Sequence, residues 1–286
     1  MAGAPSTAKN GAIVMDAVRA ADHDRYLAAL YVPTDKRDAL FSLYAFNAEV
    51  AGVRDRIHEP LPGEVRLQWW RDVIAAGAET GNPIADALGV TIAANRLPKA
   101  AFENMLEARI FDLYDDPMPS RTDLEGYCGE TAAALIQLAA MVLDPTAAPD
   151  FAELAGRAGC AQAITGLLLL LPLHCRRGQC FIPADILAAA GTSPEAFVKA
   201  EDEPAAGRAL AAMIALAREH LNAFEKAAPT LPVSLRPAFL PLALTRAYLD
   251  KMEKAGASPL GTIVKLSTIG RHWVLLCHAM RGWTAL

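Results

Sequence analysis

The sequence lacks the features that mark β-sheet proteins. Only 7% of its 286 residues are aromatic, no run of β-branched residues alternates with polar ones, and no Asn-Gly pair separates two such runs. These absences exclude a β-rich fold. The chain is instead 53% hydrophobic, with Ala and Leu frequent, and both residues favour helices. That apolar content also excludes a disordered, low-complexity chain.

Signals for export and membrane insertion are missing too. The N-terminus has no apolar segment behind a basic start, and Lys9 and Arg19 give it less positive charge than a mitochondrial presequence carries. The longest apolar stretch, residues 164–173, contains Pro172 and is well short of the ~20 residues that span a membrane. We therefore expect a cytoplasmic protein without a signal peptide or a transmembrane helix.

Paired cysteines and excess positive charge are absent as well. The chain has five cysteines and no Cys-x-x-Cys pair, so we expect buried thiols in a reducing compartment rather than disulfides or a zinc site. Lys and Arg number 27 against 32 Asp and Glu, for a net charge of -5. A protein dedicated to nucleic acid needs a positive surface, so we expect no nucleic-acid partner.

Start and stop signals divide the chain into about ten helices. Asn82-Pro83 is typical of a helix N-terminus. Thr122 and Glu125 have the spacing of a capping box, which predicts one helix running to about Leu143. Further helices are predicted from residue 34 onward and over residues 151–171, 204–227, 240–255 and 262–281.

These helices predict an all-α protein in which a single-domain helical bundle encloses a central cavity. We expect the bundle to cover residues 11–286, after a flexible segment over residues 1–10. In bundles of this size, ligand sites lie on helices that face one another across the cavity.

Two segments resemble motifs of the squalene/phytoene synthase family. Tyr44-Ala45-Phe46 is similar to the start of that family's first signature helix, and Arg176-Arg177-Gly178 resembles the segment after its second aspartate motif. The resemblance runs from about Asp22 to about Lys254 and implies an isoprenoid synthase-like fold. Other residues that resemble family positions are Tyr26, Arg37, Arg109, Asp112, Tyr127, Cys128 and Arg246.

The resemblance also implies a chemistry, from which this sequence departs. In the family, aspartates one turn apart on two helices hold Mg²⁺ ions that bridge to a prenyl diphosphate. Alignment on the two motifs puts Ala51 and Gly52 at the first aspartate positions and Leu170 and His174 at the second, leaving Asp55 as the surviving carboxylate. Leucine cannot ligate Mg²⁺, and a histidine nitrogen is a poor substitute for oxygen. We expect no cofactor, with Mg²⁺ required only if the protein is an enzyme.

Two further segments resemble one branch of the family. Residues 45–49 and 68–72, which read AFNAE and QWWRD, are similar to the mitochondrial complex I assembly factors and their bacterial relatives. That resemblance implies a protein that is not catalytic and that acts in respiratory complex I assembly, or binds an isoprenoid or lipid. Its partners would be subunits of that membrane complex, reached from a peripheral position at the inner membrane. The alternative is an active head-to-head prenyltransferase with atypical ligands.

The candidate site residues follow from these resemblances. Asp55 and Asp112 are the candidate catalytic residues, and Asp55 is the candidate metal ligand. Asp115 and Asp116 are expected in an exposed helix end, because Pro117 follows. The residues proposed to line the cavity or to bind a diphosphate or lipid are Tyr26, Arg37, Tyr44, Asn47, Glu49, His174, Arg176 and Arg177.

Two interpretations stay open for each of the basic segments. His174, Arg176 and Arg177 can hold a phosphate through charge-assisted hydrogen bonds, or they can simply complement a helix C-terminus. Residues 262–283 combine basic side chains with Trp273 and several aliphatic residues. Such a helix either contacts an anionic membrane or a partner, or closes the bundle with its apolar face in the core.

Overall fold

The computed structural model of the protein describes residues 4–255, 261 and 263–283, with the backbone alone described for residues 4–9 and 255. In that part of the chain the regular structure consists of α-helices, short 3₁₀ turns and one π turn, and it contains no strand. The predicted all-α class is therefore confirmed.

Seventeen α-helices are present among the described residues, more than the ten expected, because prolines and tight turns divide several predicted helices. In chain order they are α1 (Ala4–Ala21), α2 (His23–Ala29), α3 (Thr34–Ala51), α4 (Val53–Arg56), α5 (Pro60–Ala76), α6 (Pro83–Asn95), α7 (Lys99–Ala108), α8 (Arg121–Cys128), α9 (Ala134–Leu143), α10 (Ala152–Leu169), α11 (Leu171–Arg176), α12 (Ala184–Ala190), α13 (Pro194–Val198), α14 (Glu203–Ala227), α15 (Arg236–Phe239), α16 (Thr245–Ala255) and α17 (Thr268–Arg281).

The helices group into two compact units, each built from three separate stretches of the chain. The described part of unit 1 comprises residues 4–114, 134–152 and 231–241, and that of unit 2 comprises residues 115–133, 153–230, 242–255, 261 and 263–283. The flexible segment over residues 1–10 stays a prediction. Its first three residues lie outside the described part of the chain, and the backbone of α1 begins at Ala4.

Unit 1 is organised around α3. Helices α1, α6 and α9 pack against it, and residues 40–47 of α3 are all buried, so the middle of this helix is enclosed on every side. The Phe46 ring meets two other buried rings edge to face, those of Trp70 on α5 and Phe102 on α7, at centroid distances of 5.1 and 5.5 Å. Such edge-to-face pairs stabilise the core beyond the area that they bury.

Unit 2 is organised around α14, the longest helix. Helices α12 and α16 pack against it, and Arg208 of α14 donates two hydrogen bonds, of 3.0 and 2.8 Å, to the Ala190 carbonyl at the end of α12. These bonds satisfy a carbonyl that the helix end leaves without an intrahelical donor.

The predicted capping box is wrong by two residues. Helix α8 has Ser120 as its N-cap, and the Ser120 Oγ accepts a hydrogen bond of 3.2 Å from the Asp123 N–H. Thr122 instead lies inside the first turn. In a capping box the glutamate carboxylate accepts from the N–H of the N-cap residue. Here the Glu125 carboxylate instead accepts a hydrogen bond from the Arg121 side chain.

The predicted helix from residue 122 to 143 is continuous from Arg121 to Leu143. It contains a π turn over Gly129–Ala133, between α8 and α9, which the sequence did not predict. Gly159 of α10 packs directly on the end of this turn. A Cβ atom at Gly159 would lie 2.4 Å from the backbone N and Cα of Ala133, so no other residue fits there without a shift.

Three other expectations need correction. The helix expected over residues 151–171 ends at Leu169 and α11 starts at Leu171, with Pro172 in its first turn, where its missing N–H costs nothing. The C-terminal helix begins only at Thr268, and Thr262 lies outside the described residues. Asp115 and Asp116 lie in an exposed loop rather than at a helix end.

One stretch of the described chain, residues 121–143, is long and apolar enough to cross a membrane. It differs from residues 164–173, the longest apolar stretch of the sequence. Of its most apolar 18-residue window, 56% is buried inside the protein, as is usual for a core helix, so its composition is only a weak sign of a membrane span.

Candidate functional site

The end of α3 carries the position of the family's first aspartate motif, and two arginine side chains lie beside that position. The Glu49 carboxylate, one turn before Gly52, lies 3.3 Å from the Arg56 guanidinium and 3.5 Å from that of Arg66. A Cβ atom added at Gly52 would lie 3.3 Å from Arg56 Nη1. The guanidinium of Arg56 thus fills the space beside the position where the family has a carboxylate. Asp55, on α4, is exposed.

The two segments that resemble the assembly-factor branch meet at this point. Arg66 of α5 reaches Glu49 from one side, and its guanidinium lies 4.3 Å from the centroid of the Trp69 ring. The neighbouring Trp70 packs on Phe46. Helices α3 and α5 are therefore joined by the Glu49–Arg66 ion pair and by the Phe46–Trp70 aromatic pair. The cation–π contact of Arg66 with Trp69 lies within α5. We call these five residues, Phe46, Glu49, Arg66, Trp69 and Trp70, the α3–α5 clasp.

Asp112 is also neutralised by an arginine. It lies buried in the 3₁₀ turn after α7, and its carboxylate accepts a hydrogen bond of 2.9 Å from Arg109 Nη1. Both side chains are at most 13% exposed. A buried carboxylate needs such a partner to remain charged.

The donor set at these positions does not fit the Mg²⁺ ions of the family chemistry. Positions 51 and 52 offer no side-chain oxygen, while Glu49 and Asp112 are paired with guanidinium groups. Within the described part of the chain, no three His, Cys, Asp or Glu side chains come together where they could hold a metal ion. We therefore derive no metal-dependent step.

Two tyrosines predicted to line the cavity belong to the α2–α3 packing. Tyr44 is buried, with the Arg25 guanidinium 5.9 Å from the centre of its ring, and Arg25 pairs with Asp22 at 2.5 Å. Burial raises the pKa of the Tyr44 hydroxyl to about 12, and the positive charge of Arg25 opposes that rise. Tyr26 is half-buried and stacks on Phe41 at 5.9 Å.

Arg37 and Asn47 lie on the same helix, α3, in different settings. Arg37 Nη2 donates hydrogen bonds of 3.0 and 3.1 Å to the carbonyls of Leu30 and Val32, and so closes the C-terminal end of α2. Asn47 is buried on α3, one residue after Phe46. Arg37 thus has an evident structural role, and a ligand-binding role for either residue stays a prediction.

In unit 2, the Arg176-Arg177-Gly178 segment ends α11. Gly178 has a φ of +79°, in the left-handed region, and the N–H groups of Gly178 and Gln179 donate to carbonyls of the last helical turn at 3.1 and 3.0 Å. The glycine of this motif is therefore required by the turn. Arg176 is exposed and Arg177 is half-buried, so the basic side chains stand at a helix C-terminus, where positive charge is favourable.

His174 is buried one turn before that glycine. Its ring packs on Phe181, with 4.7 Å between the ring centroids, and Phe181 also contacts Tyr127. The structure therefore brings His174 together with the Phe181 and Tyr127 rings. This histidine is embedded in an aromatic contact, and a diphosphate-binding role for it stays a prediction.

Sequence reasoning missed a charged cluster on α8 and α14. The Glu125 carboxylate lies 2.9 Å from Arg121 and 3.0 Å from the buried His220 Nε2. Arg121 also bonds Glu219, and this hydrogen bond lowers the pKa of the Glu219 carboxyl. The sequence does carry a signal for the burial of His220, because helical spacing places it on the same face of α14 as the buried Met213, Leu216 and Ala217.

Unit 2 also contains a cavity of about 540 Å³ bordered by α14, α16 and α17. Its polar lining includes Arg246, from a segment that resembles the family, but Arg246 is paired with Glu225. Trp283 closes another side and meets Phe224 edge to face at 5.2 Å.

The cysteines match the prediction of buried thiols. All five lie among the described residues as thiols, four of them buried and Cys277 half-buried. Burial raises the pKa of the Cys175 and Cys180 thiols to about 11, so both remain protonated at neutral pH.

The fold and these motifs together define the class of protein. The family model for squalene/phytoene synthase matches residues 18–270. The chain belongs to the squalene/phytoene synthase family.

Within that family, the similarity extends to two kinds of protein. The chain is 28% identical over 244 residues to NADH dehydrogenase (ubiquinone) complex I, assembly factor 6, of Bos taurus, and equally to that of Homo sapiens. These matches cover 84% of this chain and 73% of each relative. A 15-cis-phytoene synthase of Synechococcus elongatus is 24% identical over 244 residues, covering 80% of this chain and 79% of that protein.

Solved structures support the same fold. A dehydrosqualene synthase in complex with ligand superposes with a TM-score of 0.83 at 19% identity, over 94% of this chain and 95% of that one. A squalene synthase from Alicyclobacillus acidocaldarius superposes with a TM-score of 0.71 at 21% identity, over 88% of this chain and 96% of that one. The predicted isoprenoid synthase-like fold is confirmed.

Proposed function

We propose that this protein is a non-catalytic member of its family that acts in the assembly of respiratory complex I. The observation that carries the proposal is the pairing of a glutamate with two arginines at the end of α3, beside aspartate positions that have lost their carboxylates. There Glu49 binds Arg56 and Arg66, and positions 51 and 52 have no carboxylate. Without carboxylates to hold Mg²⁺, the protein has no means to stabilise a departing pyrophosphate. The protein then needs no resident cofactor.

The proposed partners are subunits of complex I. This is supported by the similarity to complex I assembly factors over most of the chain. The α3–α5 clasp adds a physical reason to group the chain with that branch, since four of its five residues come from the AFNAE and QWWRD segments that resemble the branch. Because complex I is built in a membrane, we expect its assembly factor to lie at the inner membrane surface. Residues 262–283 are the proposed contact with that membrane.

Binding of an isoprenoid or lipid is a second candidate function. It is favoured by the close superposition on a dehydrosqualene synthase, which indicates that the backbone of the family has been kept although its carboxylates have not. The candidate binding residues remain those predicted from the sequence: Tyr26, Arg37, Tyr44, Asn47, Glu49, His174, Arg176 and Arg177.

Deletion of the gene, followed by complementation, tests the proposed role. We expect membranes of the deletion strain to lose assembled complex I, measured as NADH:quinone oxidoreductase activity and by native gel. Both the wild-type gene and Asp55→Asn should restore it, because Asp55 is exposed and a binding role does not need its charge.

Two results would contradict the proposal. The first is a deletion strain with normal complex I. The second is a strain in which wild type restores the complex and Asp55→Asn, present in equal amount, does not, since that pattern indicates a need for the family's surviving carboxylate.

A further inference from the structure

Helix α17 has an apolar face that the described part of the chain leaves uncovered. Leu275 is fully buried, whereas Ile269, Trp273, Leu276 and Met280 are 83%, 67%, 40% and 75% exposed. The exposed four are separated by four, three and four residues, which places them along one side of the helix. Single exposed apolar residues are ordinary, but a row of four with a tryptophan marks a contact surface.

The sequence that contains α17 carries side-chain charge of one sign. From Lys254 to the C-terminus the sequence has no Asp or Glu, although the whole chain has a net charge of -5. Lys265, His272 and Arg281 are exposed, the first just before the helix and the others next to Trp273 and Met280 in the sequence. The C-terminal part of the chain is thus basic in an otherwise acidic protein.

Another side of α17 packs on unit 2, where Leu275 is buried. The Ser267 Oγ caps the start of α17 by accepting a hydrogen bond from the Gly270 N–H at 3.1 Å. At the other end, Trp283 packs on Phe224 of α14.

We propose that this face docks on the anionic surface of a lipid bilayer. Ile269, Trp273, Leu276 and Met280 would enter the interfacial region, where tryptophan is favoured. Lys265, His272 and Arg281 would lie among the anionic headgroups. The inference deepens the proposed function, because it names the surface by which the protein would reach a membrane complex, and its biological setting rests on that function.

Vesicle co-sedimentation of the purified full chain tests the docking surface. We expect wild type to sediment with vesicles of equal parts phosphatidylcholine and phosphatidylglycerol, and more weakly with phosphatidylcholine alone or at high salt. Ile269→Glu/Met280→Glu should weaken binding at least about tenfold, because it places charge in the apolar interface.

Leu61→Glu/Val65→Glu is the matched control. These residues of α5 are 72% and 70% exposed, and their replacement changes the net charge by the same amount. The control should bind as wild type does. A second variant, Lys265→Glu/Arg281→Glu, should lose binding to the anionic vesicles at least about tenfold, since each cation near an anionic surface contributes ~1 kcal/mol. Circular dichroism checks that each variant is folded.

Three results would overturn the inference. They are wild type that does not bind anionic vesicles, an α17 variant that binds as well as the α5 control, and wild type that forms dimers which the α17 variant dissociates. The assay contains no complex I subunit, so its failure leaves the gene-deletion result untouched, and failure of complementation leaves the vesicle result untouched.

Discussion

At the scale of single residues, the site was only partly predictable. The sequence places Ala51 and Gly52 at the family's metal positions, and this suffices to predict that the metal cluster is altered. It does not predict which side chains fill the space. Arg56 is seven residues from Glu49 and Arg66 is on another helix, so their convergence depends on the packing of α3, α4 and α5.

The surroundings of Tyr44 likewise depend on helix packing, and its burial gives a testable prediction. Its burial raises the pKa of the hydroxyl to about 12, above the unfolded value of 10.0, so the folded state favours the neutral phenol. The stabilisation is complete below about pH 10 and is lost as the pH rises towards 12. At about pH 11, the loss of this stabilisation should lower the free energy of unfolding of wild type by about 1 kcal/mol more than that of Tyr44→Phe.

Urea unfolding of both proteins at about pH 8 and pH 11 measures this difference. The phenylalanine variant serves as the control for every other group that titrates in this range. Equal losses of stability in the two proteins would show that Tyr44 ionises as freely in the fold as in the unfolded chain.

At the scale of elements, helix starts marked by proline were predictable because proline fixes its own backbone angle. Helix α6 begins at Pro83 after the Asn82 cap, and α13 begins at Pro194 after the Ser193 cap. The start of α8 was misplaced because Thr122 and Glu125 also match the capping spacing. No sequence motif predicts the π turn after α8, because the turn lies where Gly159 of another helix, α10, packs against the backbone of Ala133.

The close approach of α10 to the π turn predicts that alanine substitution at two glycines of α10 changes stability in opposite directions. Gly159→Ala should lower the free energy of unfolding by at least about 2 kcal/mol, because the new Cβ would overlap the Ala133 backbone. Gly156→Ala should raise it by about 0.5–1 kcal/mol, since a Cβ there meets nothing within 4 Å and alanine is the better helix former. Urea denaturation followed by circular dichroism measures both.

A Gly159→Ala protein as stable as wild type would contradict the close packing of α10 on the π turn. A Gly156→Ala protein destabilised to the same degree would indicate instead that α10 tolerates no added methyl group at either position.

At the scale of the whole molecule, family motifs predicted the fold better than the site. The tyrosine and glycine motifs survive because they serve packing and turns, as Tyr44 and Gly178 show. The aspartate positions 51 and 52 carry no carboxylate, and the neighbouring Glu49 pairs with Arg56 and Arg66. A fold can therefore be retained while its chemistry is not, and function has to be argued from the site.

We infer that this fold no longer performs prenyl-diphosphate chemistry. This is tested by incubating the purified protein with farnesyl or geranylgeranyl diphosphate and Mg²⁺ and measuring pyrophosphate release, with an active squalene synthase as positive control. We predict no release above that of buffer alone. Pyrophosphate release that depends on Mg²⁺ and is abolished by Asp55→Asn would contradict the claim.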